Sequence, residues 1–228
     1  VRKNLTAYRK AVKSTGLNLD TYLRILKSEQ KAIESNHRKA KYSENKSRIQ
    51  LIDFEGMIGK AIELLNSEKV SDIAVGLCLL IGRRPSEVMK TAKLYNYGRR
   101  SNMLFFSGQL KSRGIDKGKI QVYALGNSAA LCKVALKKLR SLSNTQKMTM
   151  KEVDRRYMNQ LLRRSKYHFS DNIKNCSTYD LRKAYACIAA HLYHNEKSPL
   201  TRRVFISNLM GHNEGDTDTA KSYDKFYI

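Results

Sequence analysis

The chain closes on "LMGHNEGDTDTAKSYDKFYI", in which Tyr223 follows His212 by 11 residues and Tyr227 stands one residue from the end. A tyrosine downstream of a histidine is either a packing aromatic or an oxygen nucleophile aimed at a phosphate. Breaking a phosphodiester through a covalent phosphotyrosine needs three kinds of group: the phenol, cations over the non-bridging oxygens, and an acid for the departing 5′-oxygen. This sequence can supply each. "GRRPSEV" and "YDLRK" place arginines on two separate helices, and a guanidinium binds phosphate through paired hydrogen bonds while staying charged. "FSGQLKSR" puts a lysine at the end of a strand, where it can act as general acid. Taken one at a time, each residue is better read as packing, a helix-end charge or a solvated side chain. Their joint order is what favours chemistry.

Composition supports a polyanionic partner. In 228 residues, 44 Lys and Arg outweigh 20 Asp and Glu, a formal charge of +24 that solubility alone does not require. The basic residues are spread along the whole length, as a DNA-wrapping surface requires. The longest apolar run, "IAVGLCLLIG", is too short to span a bilayer, and the polar opening "VRKNLTAYRK" has no signal-peptide pattern. Opening on Val, the chain reads as a portion of a longer protein. Cys78, Cys132, Cys176 and Cys187 have no metal-ligand spacing and read as reduced cytoplasmic thiols. No HExxH, paired-carboxylate or GxxxxGK[ST] pattern is present, so neither metal nor nucleotide cofactor is expected.

The elements that must position these residues are mostly helical. Residues 1–35 read as the helical end of a preceding DNA-binding domain, with Leu19, Tyr22, Leu23, Ile25 and Leu26 on its apolar side. Residues 36–48, "NHRKAKYSENKSR", form a basic linker in which Arg38, Lys39, Lys41, Lys46 and Arg48 can follow a phosphate backbone. Residues 49–228 make the main domain, of α+β class: helices at about 53–66 and 69–81, a short helix opened by Pro85, and a β-hairpin within "SNMLFFSGQLKSRGIDKGKIQVYAL". Basic helices capped by Asn127 and Thr149 follow, then a helix capped by Ser177 or Thr178 that carries "YDLRKAYACIAAHLYH". The stripes in "VSDIAVGLCLLIG" and "AYACIAAHLY" are core. His37, His168, His191 and His194 read as structural or DNA-facing.

The ordered set over residues 49–228 resembles the catalytic domain of tyrosine recombinases. Within that superfamily, "GRRPSEV", "FSGQLKSR", "YDLRKAY" and "GHNEGDTDTAKSYDKFY" are most similar to telomere resolvases, or protelomerases. The resemblance gives Arg84, three residues before Glu87, the first arginine position, with Arg83 as a supporting phosphate contact. Lys111 takes the hairpin lysine position, with Arg113, Lys117 and Lys119 as alternatives, and Arg182 is the second arginine. Tyr179 stands where many recombinases have His or Lys; a phenol of pKa roughly 10 donates a hydrogen bond to phosphate but is a poor base. His212 is the histidine beside the phosphate and Tyr223 the nucleophile, with Tyr227 as the other candidate.

The resemblance further implies a homodimer on a palindromic double-stranded telomere junction. Each subunit cuts one strand, and the products are covalently closed hairpin ends; the setting is cytoplasmic, in a bacterium or phage. A phage or transposon integrase with the same chemistry, and a basic DNA-binding module without a covalent step, are the competing readings.

Overall fold

The computed structural model describes residues 49–110, 118–195, 197–212 and 223–228, with positions 29, 32, 33, 35 and 36. The chain divides into two units, Val1–Arg48 and Ile49–Ile228. In the first, Glu29, Ala32, Ile33, Ser35 and Asn36 are helical; Arg38, Lys39, Lys41, Lys46 and Arg48 of the expected linker lie outside the described residues.

The second unit runs β1 (Gln50–Leu51), α1 (Phe54–Leu65), α2 (Val70–Leu80), a π-helical turn (Glu87–Thr91), β2 (Lys93–Asn96), β3 (Met103–Ser107) and β4 (Ile120–Tyr123). It continues with α3 (Ala129–Ser143), α4 (Met150–Phe169), α5 (Thr178–Tyr193), α6 (Arg202–Met210) and β5 (Phe226–Tyr227). The class is mainly α with small sheets, as the periodicity predicts.

Helix α2 is apolar on every side, so it can only be stable in the centre. Every residue from Asp72 to Leu80 is buried, and the helix packs against α1, α3, α4 and α5. Its one buried acid, Asp72, accepts from Arg164 Nη2 at 2.8 Å and Ser67 Oγ at 3.1 Å, with His168 Nε2 at 3.2 Å. An unpaired buried carboxylate is strongly unfavourable, so these partners fasten α2 to α4. His168 is accordingly structural. Helix α4 shows the opposite pattern: Val153, Tyr157, Leu161, Ser165 and Phe169 form one buried stripe at four-residue spacing, and the other faces carry charge. Thr149 and Glu152 close its capping box, worth about 1 kcal/mol.

Three details depart from the sequence reading. The hairpin is a three-stranded antiparallel sheet, because Lys93–Asn96 adds to its edge with Leu94 opposite Phe106. Helix α3 starts one residue later than expected: Asn127 takes a left-handed φ of 55°, which Asn tolerates, and Ser128 occupies the cap position. Finally, β1 and β5 pair in parallel, Gln50 with Phe226 and Leu51 with Tyr227, joining the two ends of the unit. Strands of two residues carry no periodic signal.

Candidate active site

Helix α6 is capped by Thr201, whose side chain accepts from Val204 N–H, and it ends at Gly211 with φ of 70°. That left-handed cap turns the chain so that His212 N–H donates back to Ser207 O at 3.0 Å. The imidazole then meets the expected nucleophile. His212 Nε2 lies 3.1 Å from Tyr223 Oη, with ring centroids 5.7 Å apart, and Tyr223 is only 2% exposed. Tyr227 sits in β5 with its backbone paired, but its side chain is 51% exposed. Of the two tyrosines, the buried one is the one bonded to histidine.

Beneath this pair lies a cluster of arginines around one carboxylate. Glu87 is fully buried on the π-helical turn and accepts from Arg84 N at 3.0 Å, Arg84 Nη1 at 2.6 Å and Leu110 N at 3.0 Å. Burial works to raise its pKa, but the charges of Arg83, Arg84 and Arg182, with the Leu110 N–H, hold it below the usual carboxylate range. Glu87 therefore stays ionised. It fixes Arg84, which is 27% exposed in its side chain and also donates to Leu110 O at 3.2 Å. Leu110 immediately precedes Lys111. One carboxylate thus ties the first arginine to the segment that follows β3.

Arg83 and Arg182 brace the end of α6. Arg83 donates through Nε to Ile81 O at 3.1 Å and through Nη2 to Leu209 O at 2.8 Å, and its guanidinium stacks 5.0 Å from the Phe106 ring. Burial, with the Arg182 charge beside it, pushes its pKa down to about 10, still protonated at neutral pH. Arg83 is 1% exposed. Arg83, expected as a supporting phosphate contact, is thus a buried strut in this structure, with Nε and Nη2 directed at carbonyls. Arg182 is equally buried and donates to Gly82 O and, at 3.0 Å, to Met210 O. Two bonds leave three of a guanidinium's five N–H groups. Gly82 itself must be glycine: its φ is 62°, and a Cβ there would lie 2.0 Å from the Tyr185 ring.

The turn after Tyr223 is held from several directions. Lys225 Nζ donates to Asp180 Oδ1 at 2.6 Å, Arg203 lies 3.5 Å from Asp224, and Gln50 N donates to Lys225 O at 3.1 Å. Asp180 is also the capping-box acid of α5, accepting from Ser177 N at 3.1 Å and Ser177 Oγ at 2.7 Å. It stands two residues before Arg182, so one carboxylate links the helix of the second arginine to the turn of the tyrosine. Tyr179, on the first turn of α5, is 49% exposed, with Lys183 Nζ 5.3 Å from its ring centroid.

Among the remaining expectations, Lys111, Arg113 and Lys117 lie outside the described residues. Lys119 is described, and its Nζ sits 4.4 Å over the Tyr95 ring. Sequence reasoning missed the joining roles of Glu87, Asp180 and Lys225. The RxxE pattern and the capping box were signals for the first two; nothing local marks Lys225. A separate recess of about 460 Å³ beside β2 and α3 is lined by Lys90, Lys93, Lys133, Lys137 and Arg140 without a carboxylate. Among the described residues, no group of three or more His, Cys, Asp or Glu could hold a metal ion, and no helix is long and apolar enough to cross a membrane. The four cysteines are buried and form no disulfide.

The chain matches the family model described as "Telomere resolvase ResT/TelK catalytic domain" over residues 48–226. No curated protein matches it significantly in sequence. Its fold is similar to protelomerase TelA covalently complexed with substrate DNA, with a TM-score of 0.73 and 23% identity over 86% of this chain and 66% of that one. A TelA point mutant complexed with DNA hairpin product aligns with a TM-score of 0.75 and 19% identity over 99% of this chain and 82% of that one. Protelomerase TelK complexed with substrate DNA gives 0.68 and 23%, over 87% of this chain but only 41% of its own length.

Proposed function

Since the chain belongs to the family of telomere resolvase catalytic domains, we propose that it breaks and rejoins double-stranded DNA through a phosphotyrosine on Tyr223 and closes the cut arms into hairpin ends. The observation that carries this reading is the 3.1 Å contact between His212 Nε2 and Tyr223 Oη, at the end of the helix that the buried Arg182 braces through Met210 O. Similar chains bound covalently to substrate DNA, or to a hairpin product, support it.

In this scheme Tyr223 Oη attacks phosphorus, the bond to the 5′-oxygen breaks, and the enzyme retains the 3′-phosphate. His212 lies within the roughly 2.6–3.2 Å over which a base can take the phenol proton. Once protonated, it adds its charge to those of Arg84 and Arg182 around the five-coordinate phosphorus. Lys111 delivers a proton to the leaving oxygen. The 5′-hydroxyl of the opposite strand then attacks the phosphotyrosine and expels Tyr223, closing the hairpin without a metal or nucleotide. Two copies act on a palindromic junction, one per strand. Bending the strands back has an energetic cost that phosphate contacts must offset, which a charge of +24 is suited to do.

Incubation with a palindromic duplex, read by denaturing electrophoresis, tests the reading. Each product arm should run as one strand of doubled length and resist exonuclease. Recombinant duplexes without closed ends would instead make the protein an integrase, and absence of any covalent adduct would leave a binding module.

A further inference from the structure

We infer that Gln109 binds the scissile phosphate, donating from its side-chain amide to a non-bridging oxygen; the assignment rests on the covalent reading above. Gln109 Nε2 is buried and has no hydrogen-bond partner among the described residues. An orphaned buried donor costs about 1–3 kcal/mol, and native structures keep few of them. A donor left unpaired within a site is accounted for when its partner arrives with the ligand.

The surroundings identify that ligand. Gln109 lies between Gly108 and Leu110, and Leu110 accepts from Arg84 and donates to Glu87. The strand end is pressed against the π-helical turn: Gly108 has φ of 92°, and a Cβ there would sit 1.9 Å from Thr91 O. On the other side, a Cβ at Gly211 would lie 2.5 Å from Gln109 Oε1 and 3.2 Å from its Cδ. The amide therefore rests on the very turn that presents His212. A side chain wedged between the Arg84 strand end and the His212 turn lies where the phosphate must bind if those two residues flank it. The amide NH2 donates and does not accept, so the partner is an acceptor, and the guanidinium beside it favours an anionic one.

The residue is also suited to catalysis in a way that a further arginine is not. A neutral donor adds no charge repulsion to a centre that already holds Arg83, Arg84 and Arg182 around one carboxylate. Its bond strengthens as negative charge gathers on the equatorial oxygens, so it contributes most in the transition state.

The test compares wild type with Gln109→Met, which keeps length and removes the donor, and with Gln109→Glu, which keeps shape and reverses the preference to one against anions. On a nicked duplex that traps the adduct, Gln109→Met should lower the single-turnover cleavage rate about a hundredfold, the usual effect of losing one such donor. Its melting temperature should be unchanged or higher, because an unpaired buried donor is gone. Gln109→Glu should lose at least as much rate. With a methylphosphonate replacing one non-bridging oxygen, wild type and Gln109→Met should converge for one stereoisomer and stay apart for the other. Wild-type rate in Gln109→Met, or a loss of rate that tracks a fall in melting temperature, overturns the assignment. Wild type that forms no adduct overturns the covalent reading itself.

Discussion

Replacing Lys225 with methionine isolates the contact that holds the tyrosine turn to the helix of the second arginine. The ammonium and carboxylate are 2.6 Å apart, with side chains 20% and 12% exposed. At an effective dielectric of about 20, the gross attraction is about 6 kcal/mol. Desolvation offsets most of it, and a hydrogen bond to a charged group contributes about 1.5–3 kcal/mol net. Asp180 is not stranded by the change, since Ser177 N and Oγ still donate to it and Lys183 Nζ is 3.9 Å away. The loss therefore falls on the placement of residues 223–225. If the contact is what seats Tyr223 for attack, a loss of 1.5–3 kcal/mol slows cleavage about 10- to 150-fold at one decade per 1.36 kcal/mol. Single-turnover cleavage on a nicked duplex reads this, alongside DNA affinity by fluorescence anisotropy. Affinity should change little and Lys225→Arg should recover most of the rate. Asp180→Asn together with Lys225→Met should be scarcely worse than the poorer single variant, since both act through one contact. Wild-type cleavage by Lys225→Met, or a loss confined to affinity, would refute the reasoning.

Tyr223→Phe should abolish the adduct while leaving DNA affinity nearly intact, because it removes one hydroxyl and no basic surface; a phosphopeptide centred on Tyr227 in a trapped complex would overturn this. Glu87→Gln removes a carboxylate that the structure places among three buried or half-buried arginines, so unfolding should become easier by about 3–5 kcal/mol, which thermal melting measures. Acid stability should follow the same carboxylates. Asp180, despite burial that acts to raise its pKa, is held below the ordinary value by Lys225 and Ser177, as Glu87 is by its arginines. A depressed folded-state pKa gives stability that is present above the unfolded pKa of about 4 and lost as pH falls through the lower folded value. Denaturant titrations from pH 7 to pH 3 should show a shallower decline for Glu87→Gln than for wild type.

What the sequence made legible was set by the range of each signal. Helices α1, α2, α4 and α5 announce themselves through apolar spacing and through caps such as Thr149–Glu152 and Ser177–Asp180, all of which act within a few residues. The short strands escaped because pairing, not propensity, creates them: "KLYN" becomes β2 only because β3 offers a ladder, and Gln50–Leu51 becomes β1 only because Phe226–Tyr227 arrives beside it. Arg83 shows the limit from the other side. Beside Arg84 in "GRRPSEV" it is chemically equivalent, yet one guanidinium is sealed on carbonyls and the other is part-exposed and paired with Glu87. That difference is decided by where α6 ends, more than 120 residues later. The carboxylates tell the same story in reverse. Glu87 and Asp180 are visible locally as a helix-turn acid and a capping acid, but their second partners, Leu110 and Lys225, come from other segments. Each short-range partner therefore shapes a helix end, and each long-range partner sets that end against the tyrosine, so the residues that fold the unit are also those that align its chemistry.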